Sequence, residues 1–246
     1  MELTGNIVLI TGGASGIGLA LAERFAKAGS EVIVCGRRED ALAEAKEKVP
    51  ALHTRVCDVS QKQERLELLQ WVTSEFRTLN VLVNNAGIQR RISLLEPEDW
   101  EQTHQELAIN LDAPIHLCQL FLPHLIEQKN PAIINVTSGL AFAPFVSVPI
   151  YCATKAALRS FTLSLRQQLL KTPVEVVEII PPAVNTDLGG PGLHTFGEPL
   201  DEFADAVMTR LAKGEQEIAY GSALQRSRAS REELDLYFEE MNKRAS

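Results

Sequence analysis

"VLITGGASGIGLALAERFAKAG", Val8 to Gly29, opens as a run of aliphatic residues, breaks into glycines and resumes with a different period. The first part reads as a buried strand, and "GLALAERFAKAG" has the apolar spacing of an amphipathic helix. Gly12, Gly16 and Gly18 stand where the strand gives way to the helix. Free amides and the helix dipole at such a point form an anion site suited to a pyrophosphate, and glycine lets the phosphates approach the backbone. Glycines at a strand-to-helix turn can also serve close packing alone, so the stretch has to be weighed with the rest of the chain.

Working outward, strand-like runs recur as "NIVLIT", "EVIVCG", "HTRVCD", "VLVNNA", "AIINVTS", "VEVVEII" and "EIAYG", with helical patterns between most of them. That is a βαβ series. Near-continuous apolar strands imply burial on both faces, hence a parallel sheet covered by helices on each side. Right-handed crossovers leave a doubly wound α/β arrangement as the economical topology. A chain of 246 residues, 45% hydrophobic and 23% charged, suits one sizeable core, so a single domain over 1–246 is expected. "PPAVNTDLGGPGLHTFGEPL", Pro181 to Leu200, concentrates proline and glycine between a strand and a helix and reads as a mobile lid over about 182–200. "REELDLYFEEMNKR" has helical apolar spacing through Leu234, Tyr237, Phe238 and Met241, a C-terminal extension over about 230–243 suited to docking or a subunit surface rather than to catalysis.

Charge and cysteine usage narrow the function. With 24 Lys and Arg against 32 Asp and Glu, the net charge of -8 argues against nucleic-acid partners and anionic membrane surfaces. No apolar run approaches the roughly 18 residues needed to span a bilayer, and the first residues lack the pattern of a secretory signal, so a cytoplasmic location is expected. Cys35, Cys57, Cys118 and Cys152 stand far apart with no C-x-x-C spacing, and the five histidines are dispersed. Neither a disulfide framework nor a metal site is expected.

Further motifs fall at the ends of the strands. Asp58 ends the third, "NNAG" from Asn84 to Gly87 ends the fourth, Asn110 lies in a helix, Ser138 ends the fifth, and "YCATK" runs from Tyr151 to Lys155. Singly, each has a plain alternative as a helix cap or turn former. Together they occupy the carboxyl edge of one sheet, where open α/β sheets bind ligands.

The chain resembles the short-chain dehydrogenase/reductase family in its common single-domain form, from about Leu3 to the strand around Ile218, through "TGGASGIG", "CDV", "NNAG", Asn110, Ser138, "YCATK" and "PPAVNT". The resemblance implies a Rossmann fold with a seven-stranded parallel sheet, a nicotinamide cofactor, a small alcohol or carbonyl substrate, and a homodimer or homotetramer built on a four-helix interface. Within the family the chain looks closest to bacterial oxidoreductases of the lipoteichoic acid D-alanylation operon type, through "CGRRED", "NNAGIQRR" and "RASREELDLYFEEMN". One departure is Pro182, in place of the glycine usual in the family's Pro-Gly pair; proline keeps the turn, and the lid should be stiffer.

Residue chemistry agrees with that reading. Hydride exchange with a nicotinamide leaves an oxygen whose proton must move, so an acid/base is needed beside it. Tyr151 is the candidate. A free phenol titrates near pH 10, and Lys155, four residues on and therefore on the same helix face, is expected to lower that value. Ser138 can orient the substrate oxygen. By resemblance, Lys155 also bonds the nicotinamide ribose, and Asn110 holds a water that relays protons from Lys155.

For the cofactor, the end of the second strand carries Gly36, Arg37 and Arg38 where an acidic residue would select NAD, so NADP is favoured, with NAD the alternative. Arg37 is expected to read the 2'-phosphate, while Arg38 points to solvent. Ser15 stands where many NADP-preferring relatives carry a basic residue. The cofactor set implied by the resemblance adds Ile17, Val59 and Ala86, with Asp58 on the adenine amino group and Asn84 on the adenosine side. Gly87, Pro181 and Val184 complete the implied set, with Thr186 on the nicotinamide carboxamide. The walls "GLAFAPFVSVPI" and the lid are mostly apolar, whereas Arg90 and Arg91 offer an anion site or merely a solvated surface. A dinucleotide-binding redox sensor without turnover is the competing class, and the intact Ser138, Tyr151 and Lys155 set favours an enzyme.

Overall fold

A computed structural model of the protein describes residues 1–96 and 99–243; residues 97–98 and 244–246 of the expected domain lie outside them. Seven strands, β1 (Ile7–Thr11), β2 (Glu31–Gly36), β3 (His53–Val56), β4 (Val81–Asn84), β5 (Ala132–Val136), β6 (Glu175–Ile180) and β7 (Glu217–Ala219), pair in parallel in the order β3-β2-β1-β4-β5-β6-β7. The helices are α1 (Gly16–Lys27), α2 (Glu39–Lys48), α3 (Lys62–Glu75), α4 (Trp100–Leu107), α5 (Ala113–Ile126), α6 (Pro149–Gln168), α7 (Leu200–Ala212), α8 (Gly221–Arg228) and α9 (Arg231–Asn242).

Side chains alternate across a strand, and this sheet buries both sets. Val8, Ile10, Val32, Val34, Val81 and Val83 face one core with Phe25 of α1, Leu42 of α2 and Phe203 of α7. Leu9, Ile33, Cys35 and Leu82 face the other with Leu68 of α3, Phe121 of α5 and Leu165 of α6. That is the doubly wound Rossmann arrangement expected from the unbroken apolar strands. The strand order reverses between β1 and β4, and the crevice for a ligand opens there, at the carboxyl edge.

Three local features bear on the site. Helices α4 and α5 are joined by a π turn, Ala108–Asp112, which puts Asn110 at the irregularity. The Pro181–Leu200 stretch is pinched at its base, where Asn185 N donates to Glu198 O at 2.9 Å and Glu198 N donates to Ala183 O at 2.9 Å. Helix α9 starts with a reciprocal capping box between Ser230 and Glu233 and has no buried residue. It is tied down at its far end by Asn242, whose Oδ1 accepts from Val146 N at 2.9 Å and whose Nδ2 donates to Pro144 O at 3.0 Å.

Candidate active site

The glycine turn is assembled before any ligand arrives. Thr11, at the end of β1, accepts the Asn85 and Ala86 amides on its hydroxyl at 3.1 Å each, and Asn85 Nδ2 donates back to the carbonyls of Thr11 and Gly12 at 3.0 and 3.1 Å. Gly12 has φ +63, and a Cβ there would stand 2.8 Å from the Cα of Ala86; one at Gly18 would stand 2.3 Å from Gly12 O. These two glycines are therefore required by packing. Gly16, φ +51, faces the crevice beside Thr186, whose Cγ2 is 3.4 Å from where a Cβ would sit. Ser15 is the N-cap of α1 but its side chain makes no capping bond, so the first-turn amides around Ile17 remain open to an anion. This bare, dipole-facing turn fits a pyrophosphate.

Asn84 corrects an expectation. Its side chain is 4% exposed and turns into the sheet, donating to Asn135 Oδ1 at 2.9 Å and to Cys118 Sγ at 3.4 Å. Consecutive strand residues face opposite ways, so Asn85, which sequence reasoning left aside, is the one that serves the turn. The two-residue period of β4 was the signal for it.

At the β2 end of the crevice, Gly36 is open: a Cβ there would meet nothing within 4 Å. Arg37 and Arg38 are both exposed. Arg38, expected to face solvent, reaches across the turn and donates from Nη2 to Ser15 Oγ at 3.4 Å. Asp58 is itself a turn former, its Oδ1 accepting from Ser60 N at 2.9 Å, and its own amide donates to Glu64 Oε2 at 2.6 Å. Val59 is buried beside it.

At the opposite end, Ser138 follows β5, and its hydroxyl accepts from Leu140 N at 3.1 Å, capping a short 3-10 turn over Gly139–Ala141. Gly139 N in turn donates to Pro181 O at 2.8 Å, and Val184 beyond it is buried. Tyr151 and Lys155, one turn apart on α6, are 6% and 4% exposed. The Lys155 ammonium lies 5.6 Å from the centroid of the Tyr151 ring and donates to Val136 O at 2.8 Å. Burial pushes the phenol above its ordinary value, against a hydrogen bond with Ser138 that lowers it. Burial also pushes Lys155 down to about 8. Desolvation thus outweighs the lowering of the phenol expected from Lys155, because the ammonium is itself buried and aimed at a strand-end carbonyl.

The side chain of Asn110 clasps backbone. Its Oδ1 accepts from Ile88 N at 2.9 Å and its Nδ2 donates to Ile88 O at 2.8 Å, with Thr154 Oγ1 3.3 Å away. The carboxamide of Asn110 thus fixes the chain that follows β4 against α6. Gly87 lies where these groups converge: a Cβ there would stand 3.5 Å from Asn110 Oδ1 and 3.7 Å from Lys155 Nζ.

An open cleft of about 940 Å³ lies beside this cluster, walled by Ile92, Leu140, Phe145, Cys152 and Phe238, with Arg91 and Glu96 among its polar groups. Ser138, Tyr151 and Lys155 do not line it. Leu140 and Phe145 connect the two, since they pack with Leu188 against the small apolar cluster of Val148, Tyr151 and Cys152. Phe238 makes α9 part of the cleft wall, a role the sequence reading did not give it. Arg90 is a structural tie to α4, donating to Gln102 O at 2.8 Å and to Gln105 Oε1 at 2.5 Å. Among the described residues there is no cluster of three His, Cys, Asp or Glu suited to a metal, and no helix is long and apolar enough to cross a membrane.

Residues 6–193 match the short chain dehydrogenase family. The chain is similar to the uncharacterized oxidoreductase DltE of Bacillus subtilis, 47% identical over 248 residues and 98% of each chain. Among solved structures, a short chain dehydrogenase from Burkholderia cenocepacia in complex with NADP has a TM-score of 0.84 and 25% identity, covering 97% of this chain and 99% of that one. A short chain dehydrogenase/reductase from Burkholderia phymatum in complex with NAD has a TM-score of 0.85 and 22% identity, covering 96% of both chains, a likeness of fold.

Proposed function

The chain belongs to the short-chain dehydrogenase family, and from that premise we propose that it is an NADP-dependent oxidoreductase that interconverts an alcohol and a carbonyl compound, with Tyr151 as its acid/base. The observation that carries this reading is the buried cluster of Ser138, Tyr151 and Lys155 at the same sheet edge as the glycine turn. A bound nicotinamide supplies the hydride chemistry. In reduction the Tyr151 phenol gives its proton to the carbonyl oxygen, and in oxidation it takes one from the alcohol. The Ser138 hydroxyl holds that oxygen beside the phenol. Lys155 favours the phenolate once it forms, and its remaining donors suit the ribose hydroxyls.

The turn at Gly12, Ser15, Gly16, Ile17 and Gly18 would hold the pyrophosphate, with Asp58, Val59 and Ala86 at the adenine. Gly87, Pro181, Val184 and Thr186 would line the nicotinamide side. For the 2'-phosphate the weight moves from Arg37 to Arg38, because Arg38 already leans on Ser15. The apolar walls suit a substrate with an apolar carbon skeleton. The outer face of α6 beyond the cleft, with Ser160, Leu163 and Ser164 exposed, suits pairing across a two-fold axis into a homodimer or homotetramer. A monomeric mass by light scattering at micromolar concentration contradicts that assembly.

The activity is tested by following NADPH oxidation against a panel of aldehydes, ketones and oxo acids. Turnover of at least one member is expected. NADPH binding without oxidation by any member contradicts the enzyme and points to a sensor.

A further inference from the structure

The stripe of α6 that carries Tyr151 and Lys155 continues one more turn to Arg159, and this stripe meets three successive residues at the end of β5. Lys155 Nζ donates to Val136 O at 2.8 Å. The Ser138 hydroxyl shares a hydrogen bond with Tyr151. Between them, Thr137 Oγ1 donates to Glu178 Oε1 at 2.7 Å, and Arg159 Nη1 donates to the other oxygen, Oε2, at 2.5 Å. Glu178 lies on β6, paired with Asn135 of β5, and is 0% exposed. The Arg159 guanidinium also lies 4.3 Å from the centroid of the Phe142 ring, directly after the turn that Ser138 caps. Arg159 therefore grips both flanks of Ser138: Thr137 through Glu178, and Phe142 by stacking.

A buried ion pair adds little to stability compared with well-packed apolar residues, so its value here lies in what it fixes. A guanidinium offers a planar fork and a stacking face together, which is what holding two flanks at once requires. We propose that Arg159 and Glu178 are positioning residues that set the separation between the Ser138 hydroxyl and the Tyr151 phenol. The proposal rests on the catalytic reading of Tyr151 given above. The Arg159 contact to Glu217 on β7, at 3.3 Å with Glu217 partly exposed, extends the clamp outward without reaching Ser138.

The test uses Glu178→Gln, which keeps the shape and the acceptor for Thr137 but loses the charge, and Arg159→Lys, which keeps the charge but loses the fork and the stacking. Arg159 is only partly buried, so its variant keeps the test standing should Glu178→Gln fail to fold. Both are assayed beside Tyr151→Phe with NADPH and the panel compound that the wild type turns over fastest. Because a misplacement of about 1 Å costs on the order of a hundredfold, kcat is expected to fall about ten- to a hundredfold in Glu178→Gln and less in Arg159→Lys. KM and NADPH affinity should stay within about twofold of wild type, the split that marks lost geometry rather than lost binding. Wild-type kcat in both variants, or a loss of NADPH affinity matching the loss of kcat, overturns the positioning role and leaves Tyr151 standing if Tyr151→Phe is inactive. Turnover that survives in Tyr151→Phe overturns the catalytic reading itself, and the positioning role with it.

Discussion

The two ends of the ligand edge are built on opposite terms. Around β5 and α6, Ser138, Tyr151, Lys155 and Asn110 are buried, and each is bonded to a neighbour before a ligand binds. Around β2 and β3, Arg37 and Arg38 are exposed, Gly36 is open, and the side chain of Arg38 reaches the turn through a 3.4 Å contact to Ser15. The first end is preorganised at a cost in desolvation. The second is left to be ordered by what binds there. Affinity at the first end should therefore depend on fixed geometry, and at the second on charge.

The largest effect should come from Lys155→Met, which strikes the buried end. Turnover and NADPH affinity should both fall, while the unliganded protein becomes more stable at neutral pH. The sign follows from burial: the folded-state pKa of Lys155 is lowered from 10.5 to about 8, so the charged form is penalised in the fold. That cost, about 3 kcal/mol at roughly 1.4 per pKa unit, is present in full below pH 8 and disappears as pH rises toward 10.5. The stability difference between variant and wild type, measured by chemical denaturation, should therefore narrow across that window. A difference that is constant with pH contradicts the buried ammonium. Taking the difference cancels the opposing contributions of Tyr151 and the buried cysteines, whose values burial raises.

At the exposed end the effect should be smaller and confined to one cofactor. Arg38→Ala removes a charge-assisted contact worth about 1.5–3 kcal/mol, or roughly ten- to a hundredfold in NADPH affinity, with NADH little altered. Arg37→Ala should matter less. Fluorescence titration of both dinucleotides decides it, and equal losses for NADPH and NADH in Arg38→Ala would break the contrast between the ends. The smallest effect is expected at the cleft wall. Asn242→Ala cuts the tie of α9 to Pro144 and Val146, lowering stability by about 1 kcal/mol or less and raising KM for bulky substrates more than for small ones. An unchanged KM across substrate sizes would remove α9 from the pocket.

The same contrast explains what could be read in the sequence. Buried apolar strands announce themselves, and β2 spans the residues of "EVIVCG" from Glu31 to Gly36. Tyr151 and Lys155 were legible because a four-residue spacing is a property of a helix face. The exposed arginines were not, since nothing in a surface pair says which guanidinium bends back toward Ser15. The π turn at Ala108–Asp112 was hidden because one inserted residue leaves the apolar spacing on either side intact. Asn85 was passed over in favour of Asn84 because identical neighbours carry no composition signal, and the strand period alone separates them. Phe238 joined the cleft through a tertiary contact of α9 with the 144–146 segment, which no local pattern encodes.

The central claim is that the Tyr151 phenol moves the proton at a site already built by its neighbours. The direct measurement is steady-state NADPH oxidation by Tyr151→Phe beside wild type, with NADPH affinity measured by fluorescence on the same preparations. The ring keeps its place with Val148 and Cys152 in the apolar cluster that Leu140, Phe145 and Leu188 cover, and only the hydroxyl is lost. The account predicts that kcat falls about 10²- to 10⁴-fold while NADPH affinity stays close to wild type. Near wild-type kcat in Tyr151→Phe would contradict it.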